Sequence, residues 1–349
     1  MLVGVAVVGV MIAPSFVDWN QYRDEIEAYA EQSLNRDVEI NGDVGFQLFP
    51  SPALTIANLT IANGAEADSG TMLGLQKMEL KAALRPLLMG DIQITDVLLV
   101  KPNIALEVLA GNQTNWTFEG AGFDAPPVNF PSWLSAVVRA LRFDNITIRD
   151  GTLTYLDPGR GVRQPVENLN GTISARTIDG PFAAQGKATF RGVDVNFDLS
   201  IADMSRVRAV PARLSIIFQR SLGEIAFRGV LQEASLFGPI SGDLSFAGSD
   251  AALGLNDLFA LIRGTPVAAP KGVAAKALGN DFRAEATFFM DGRSLAAEDL
   301  TVGLGEVRAK GTLSGTMGRT PTFDLKLATR SFNLDALLEQ KPATTTGVN

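Results

Sequence analysis

The sequence predicts a mainly β protein: an elongated antiparallel sheet with an N-terminal transmembrane helix, an amphipathic helix and a few short capping helices. Three observations predict it. From Val38 onward, apolar and polar residues alternate over roughly fifteen segments. Gly, Asn and Asp recur between those segments, where turns belong. Ahead of them, Leu2 to Val17 is uncharged and apolar, interrupted only by Gly4, Gly9, Pro14 and Ser15. Strands with one apolar and one polar face are half-exposed and antiparallel, unlike the wholly apolar strands of a parallel α/β sheet.

Taken in order, residues 1–17 read as the anchor. As a helix this run covers roughly 24 Å, a little short of the ~30 Å hydrocarbon core. Trp19 and Tyr22 follow at once, as interfacial aromatics do. A cleaved signal peptide needs a basic start and a small-x-small cleavage site, and neither is present; a buried soluble helix is the other rival. The flank Asp18, Arg23, Asp24, Glu25 and Glu27 is net acidic, which places the body outside the cytosol. Residues 18–36 form the amphipathic helix. Tyr22, Ile26, Tyr29 or Ala30, and Leu34 recur every three or four residues from near Asn20 to Asn35, a stripe expected to pack on the sheet.

Residues 37–119 make a first β region. There, Lys77 to Leu84 alternates charged and apolar side chains. Residues 120–142 combine a Gly/Pro-rich linker with a short apolar helix from Ser132 to Leu141. Residues 143–335 make a second β region. Val193, Val195, Phe197, Leu199 and Ile201 alternate with polar residues, as do Ile225 and Phe227, Phe282 to Phe288, and Phe323 to Leu327. Within it, Asp250 to Gly264 reads as a helix, followed by a linker to about Lys276, and residues 336–349 form a polar, disordered tail. Gly-x-aliphatic-Ser starts at Gly171, Gly242 and Gly311 add a weak internal repeat.

Composition excludes much. The 349 residues include no His and no Cys, which removes the commonest general base, thiol nucleophiles, disulfides and thiolate metal sites. A net charge of −8 argues against nucleic acid as a partner. No Gly-x-Ser-x-Gly elbow or phosphate loop occurs; in Gly311-Thr-Leu-Ser-Gly315 the serine stands one place late. Asp144 and Asp157 do not fit a calcium loop. Pro50 and Pro52 are expected to break a strand, and Asp150-Gly151 to turn a hairpin. No enzyme activity, cofactor or metal is expected.

Four segments then carry a family resemblance. Phe49-Pro-Ser-Pro-Ala-Leu-Thr-Ile56, Leu84-Arg-Pro-Leu-Leu-Met-Gly-Asp-Ile-Gln-Ile94, Asn115-Trp-Thr-Phe118 and Ile148-Arg-Asp-Gly-Thr-Leu-Thr-Tyr155 resemble the amino-terminal region of the AsmA family. The likeness covers roughly residues 1–160. It implies an inner-membrane anchor, a periplasmic body and a long, curled β-groove related to bridge-like lipid-transfer proteins, with a role in outer-membrane lipid balance. Many family members are longer than this chain.

The physics agrees with that implication. Moving a two-tailed phospholipid through water exposes about thirty methylenes, on the order of 20 kcal/mol. A strip of apolar side chains removes most of that barrier without chemistry. The residues expected on such a face are Met78, Leu80, Ile146, Ile148, Phe190, Val195, Phe197, Leu199, Phe227, Phe246, Phe288 and Phe323. Partners would be phospholipids, the inner membrane and other envelope proteins. The rival is a periplasmic assembly scaffold with a sealed β core, because period 2 alone does not separate an open face from a closed one.

Overall fold

The computed structural model describes residues 17–64, 66–89, 93–110, 113–116, 143–159, 161–175, 180–204, 209–232, 239–264, 278–292, 294–316 and 321–330. The fold is mainly β, with seventeen strands and few helices among the described residues. It divides into two compact units, residues 1–186 and 187–349.

The first unit opens on a 3-10 turn, Trp19–Tyr22, which runs into α1 (Arg23–Leu34). Asn35 closes the helix in the left-handed conformation, at φ 50°. Strands β1 (Val38–Ile40), β2 (Val44–Gln47), β3 (Ala53–Ala62) and β4 (Thr71–Ala82) follow. Ile26, Ala30 and Leu34 pack on a core of Val38, Ile40, Val44, Ile56, Leu59, Ile61, Met72 and Leu75. The polar side of the helix is used as well: Glu27 and Glu31 accept the main-chain N–H groups of Ile40 and Val38, and Asn20 accepts that of Val44. Glu27 and Glu31 thus satisfy strand donors that would otherwise be orphaned.

Past α2 (Leu84–Leu88) come β5 (Ile94–Val100), β6 (Asn103–Glu107), β7 (Phe143–Asp157) and β8 (Val162–Ala175). Here two expectations are corrected. The sheet is mixed, because β7 runs parallel to β5 and β6. The chain between Glu107 and Phe143 is long enough for the crossover that a parallel pair demands.

Asp150-Gly151 also makes no hairpin turn; it sits inside β7. Asp150 has φ 52° and the pairing with β8 shifts there, so the residues form a bulge. The neighbouring chain bends at the same level, at Lys101 (φ 49°) and Pro102. Lys101 donates its N–H to Arg149 O (2.8 Å) and Thr152 donates to Pro102 O (2.7 Å). A Cβ on Gly151 would lie 2.7 Å from Ile148 Cγ2, so this bend requires glycine.

The division between units falls within β9 (Phe182–Phe190). The second unit is a meander of β10 (Val193–Ile201), β11 (Ala209–Phe218), β12 (Glu224–Gln232), β13 (Ile240–Gly248), β14 (Phe282–Asp291), β15 (Ser294–Leu304), β16 (Val307–Thr316) and β17 (Thr322–Ala328), each antiparallel to the next. Arg191 (φ 50°) and Gly192 (φ 77°) turn β9 into β10 with the positive φ pair that a tight hairpin needs. Between β13 and β14, α3 (Ala251–Arg263) starts where Asp250 accepts the Leu253 N–H at 2.9 Å and stops at Gly264 in the left-handed region.

Among the described residues, no helix is long and apolar enough to cross a membrane. The expected anchor lies outside the described residues except for Val17; so do the Ser132–Leu141 helix, the linker to Lys276 and the 336–349 tail.

Candidate functional site

Register converts the alternating sequence into rows. In the first unit, Leu54 faces Leu80, Leu80 faces Val97 and Val97 faces Ile146; beside them run Ile56, Met78, Leu99 and Ile148. Four candidate residues therefore share one face of four strands. That face is largely occupied. Leu87 of α2 packs beside Leu80 and Ile146, Met78 leans on the α1 core, and Ile148 is 4% exposed.

In the second unit the rows are longer. Phe197, Ile216, Ile225, Phe246, Ala284 and Val302 form one, and Leu199, Leu214, Phe227, Leu244 and Ala286 the next. Phe288 stands opposite Gly242 and Ala297, and Phe323 opposite Gly315, on the same side. Thr189 donates to Asp194 at 2.6 Å on the polar side, so alternation puts Phe190 with Val193 on the apolar one. All eight candidates of this unit thus share a face. At the glycine pair Gly229–Gly242 the two backbones and the Phe227 ring approach closely, a Cβ on Gly229 falling 2.6 Å from Phe227 Cζ, and the Phe227 and Phe288 rings meet edge-on at 6.4 Å.

One end of this face is sealed by α3. Val193, Val195, Phe218 and Ala260 form a closed cluster, with Ile216, Ile225, Phe246 and Leu261 around it. Val195 is 5% exposed, which makes it a core residue beneath a helix, with no open hydrocarbon surface. Ile148 in the first unit is likewise buried, at 4% exposed. Two arginines from strand turns hold α3 down: Arg191 donates to the carbonyls of Leu261 and Ile262 at the helix C-terminus, and Arg220 pairs with the buried Asp257. Burial lowers the Arg191 pKa by penalising its charge. Away from α3 the face is half-exposed at Phe197, Leu199, Leu214, Phe227, Leu244 and Phe288.

The opposite face holds a feature the sequence did not signal. A cleft of about 690 Å³ opens on the polar side of β10–β15, lined by Asp198, Arg213, Ser215, Arg228, Asp243 and Glu285 among others. Arg213 stands opposite Arg228, and Arg228 opposite Asp243. Alternation says which residues share a side; the side toward which the strands curve comes from twist and bulges such as that at Asp299 (φ 49°).

A smaller cleft in the first unit, about 410 Å³, is lined by Glu66, Asp68, Glu107 and Asp157. No acidic group among the described residues is arranged to hold a metal. Glu107 instead accepts from the N–H groups of Asp68 (2.8 Å) and Ser69 (3.3 Å) and from the Ser69 hydroxyl (3.2 Å). Asn115, fully buried, ties this corner together; it is the partner of Trp116 in the Asn-Trp segment, and its role was not legible in the sequence. The Asp144 side chain lies outside the described residues.

The arrangement is that of a surface: apolar rows, a helix over one end, and no assembled nucleophile, base or metal cage among the described residues. The sequence profile of the AsmA family matches residues 1–203, well over half of the chain. The chain belongs to the AsmA family. The match takes in α1, α2 and β1–β10, so the Pro-Ser-Pro, Pro-Leu-Leu and Asn-Trp segments all lie inside the AsmA region. The AsmA family protein YhjG of Escherichia coli (strain K12) is 24% identical over 286 residues, covering 73% of this chain. This AsmA chain spans 40% of the length of that curated relative. AsmA membership and a β-rich body fit an envelope protein.

Proposed function

We propose that this protein holds phospholipid acyl chains against apolar strand faces, as a non-enzymatic component of the cell envelope that supports outer-membrane lipid balance. In this reading it is anchored in the inner membrane with its body in the periplasm. One observation carries the proposal: beyond the cover of α3, Phe197 and the row from Leu199 through Leu214, Phe227 and Leu244 lie half-exposed. A domain whose only task is to stand would seal such a face, since each buried methylene contributes about 0.8 kcal/mol. Hydrocarbon laid along the rows recovers that energy reversibly, which is what a carrier needs.

The experiment is lipid copurification. Protein extracted in its native state and analysed by mass spectrometry carries phospholipid, and delipidated protein takes up a fluorescent fatty acid. Protein that is free of lipid and takes up no probe would refute the proposal. The second reading, an assembly scaffold with a closed core, draws support from the sealed end, where the Phe218, Phe246 and Phe282 rings stack edge to face under α3. It predicts that clean, lipid-free result.

A further inference from the structure

We infer that β17 is a docking edge for a second copy of this chain, the two β17 strands pairing antiparallel about a two-fold axis at Leu325. Register joins β17 to β16 along one side. All seven of its residues are exposed, with Phe323 at 39%, Leu325 at 54% and Leu327 at 45%. An edge left open among the described residues and carrying three large apolar side chains is a template for strand addition, which natural edges block with charged side chains, lysine above all, or with proline. β17 has no proline, and its one lysine, Lys326, is balanced by Asp324 two residues earlier. Its sequence, Thr322-Phe-Asp-Leu-Lys-Leu-Ala328, is self-complementary instead.

Antiparallel pairing centred on Leu325 sets Phe323 against Leu327 of the second copy and Leu325 against its own counterpart. On the other side it sets Asp324 against Lys326 in both directions. Among the described residues these two charges pair with each other, 3.5 Å apart along one strand with the Asp324 and Lys326 side chains 63% and 76% exposed. Other registers lose the match. Centring on Asp324 or on Lys326 places like charges face to face and still exposes one apolar residue. The interface is isologous, as two-fold dimers require, and it joins the apolar rows of the two copies into one face. The dimer stands apart from the acyl-chain proposal, which needs only the rows of one copy.

The test is sedimentation of the full chain in one non-ionic detergent across a concentration series. The wild type is expected to associate reversibly. Asp324→Lys and Lys326→Asp, each turning two cross-strand attractions into repulsions, are each expected to weaken association by about tenfold or more. An equimolar mixture of the two variants restores it, because each supplies the charge the other lacks. The chain has no cysteine, so Leu325→Cys gives a unique handle. A short bismaleimide should join two copies at that position, and should not join the control Asp291→Cys. A wild type that stays monomeric, variants that associate as the wild type does, a mixture that fails to recover, or no crosslink at residue 325 overturns the inference. Fatty-acid uptake measured on the same samples reports the acyl-chain proposal separately.

Discussion

The side-chain oxygen of Asn115 accepts the main-chain N–H of Glu107 at 2.8 Å, and its amide donates to Ala105 O at 2.7 Å. The Glu107 carboxylate in turn collects three donors from Asp68 and Ser69. Two segments far apart in sequence are thus joined through one buried corner. Removing the amide strands a donor and an acceptor with no access to water. Asn115→Ala is expected to lose about 2–4 kcal/mol, read from the urea midpoint. A loss below about 1 kcal/mol would show that the corner relaxes and that this bond matters little.

The apolar face separates two outcomes of one substitution. Phe197 is half-exposed and Val195 lies under α3. Phe197→Asp should fold and lose fatty-acid uptake, whereas Val195→Asp should unfold the second unit, because it buries a carboxylate without a partner. Circular dichroism and probe fluorescence on both variants check this. Retained uptake in folded Phe197→Asp would remove that row from the binding surface.

Asp257 is 1% exposed, Arg220 is its ion-pair partner, and its second carboxylate oxygen has no hydrogen bond. Arg220→Ala leaves a buried charge uncompensated. The expected cost is about 3 kcal/mol, the low end of the range for a broken buried pair, because Arg220 itself is half in water. Adding Asp257→Leu should restore most of it. Hydrogen exchange of the α3 amides locates the effect; unchanged protection in Arg220→Ala would mean the helix is held by packing alone.

The space beneath α3 is equally restrictive. A Cβ on Gly254 would lie 2.6 Å from the Phe282 ring, and that ring is already packed on Phe246 at 4.6 Å. Gly254→Val is expected to lift the helix and accelerate exchange of its amides, while Gly70→Ala, with open space around it, leaves exchange unaltered. Equal exchange in both variants would contradict the close docking of α3.

Glu79 supplies a pH dependence. A hydrogen bond from Lys77, at 2.9 Å, lowers its carboxyl pKa; partial burial opposes this, and the charges of Lys77 and Lys81 lower it further. A folded-state pKa below the unfolded one stabilises above the unfolded value and is lost as pH falls through the folded value. Wild type should therefore exceed Glu79→Gln by about 0.5 kcal/mol at pH 7, with the gap closing under acid and shrinking in salt. A gap that persists at acid pH would trace to packing.

By itself the sequence determined the class of fold and the membership of each face. Period 2 is a local property of extended chain, so Phe197, Leu199, Phe227, Phe246, Phe288 and Phe323 were placed together before any contact was known, and the stripe of α1 and the caps of α3 were equally local. Tertiary structure decided the rest. Whether Val195 meets hydrocarbon or a helix depends on where α3 lands, and the parallel course of β7 depends on a crossover. The bulge at Asp150-Gly151 answers a bend in another strand, and the cleft on the polar side gathers residues from several strands of the second unit. Each of these is set by residues distant in sequence, so no local pattern encodes it.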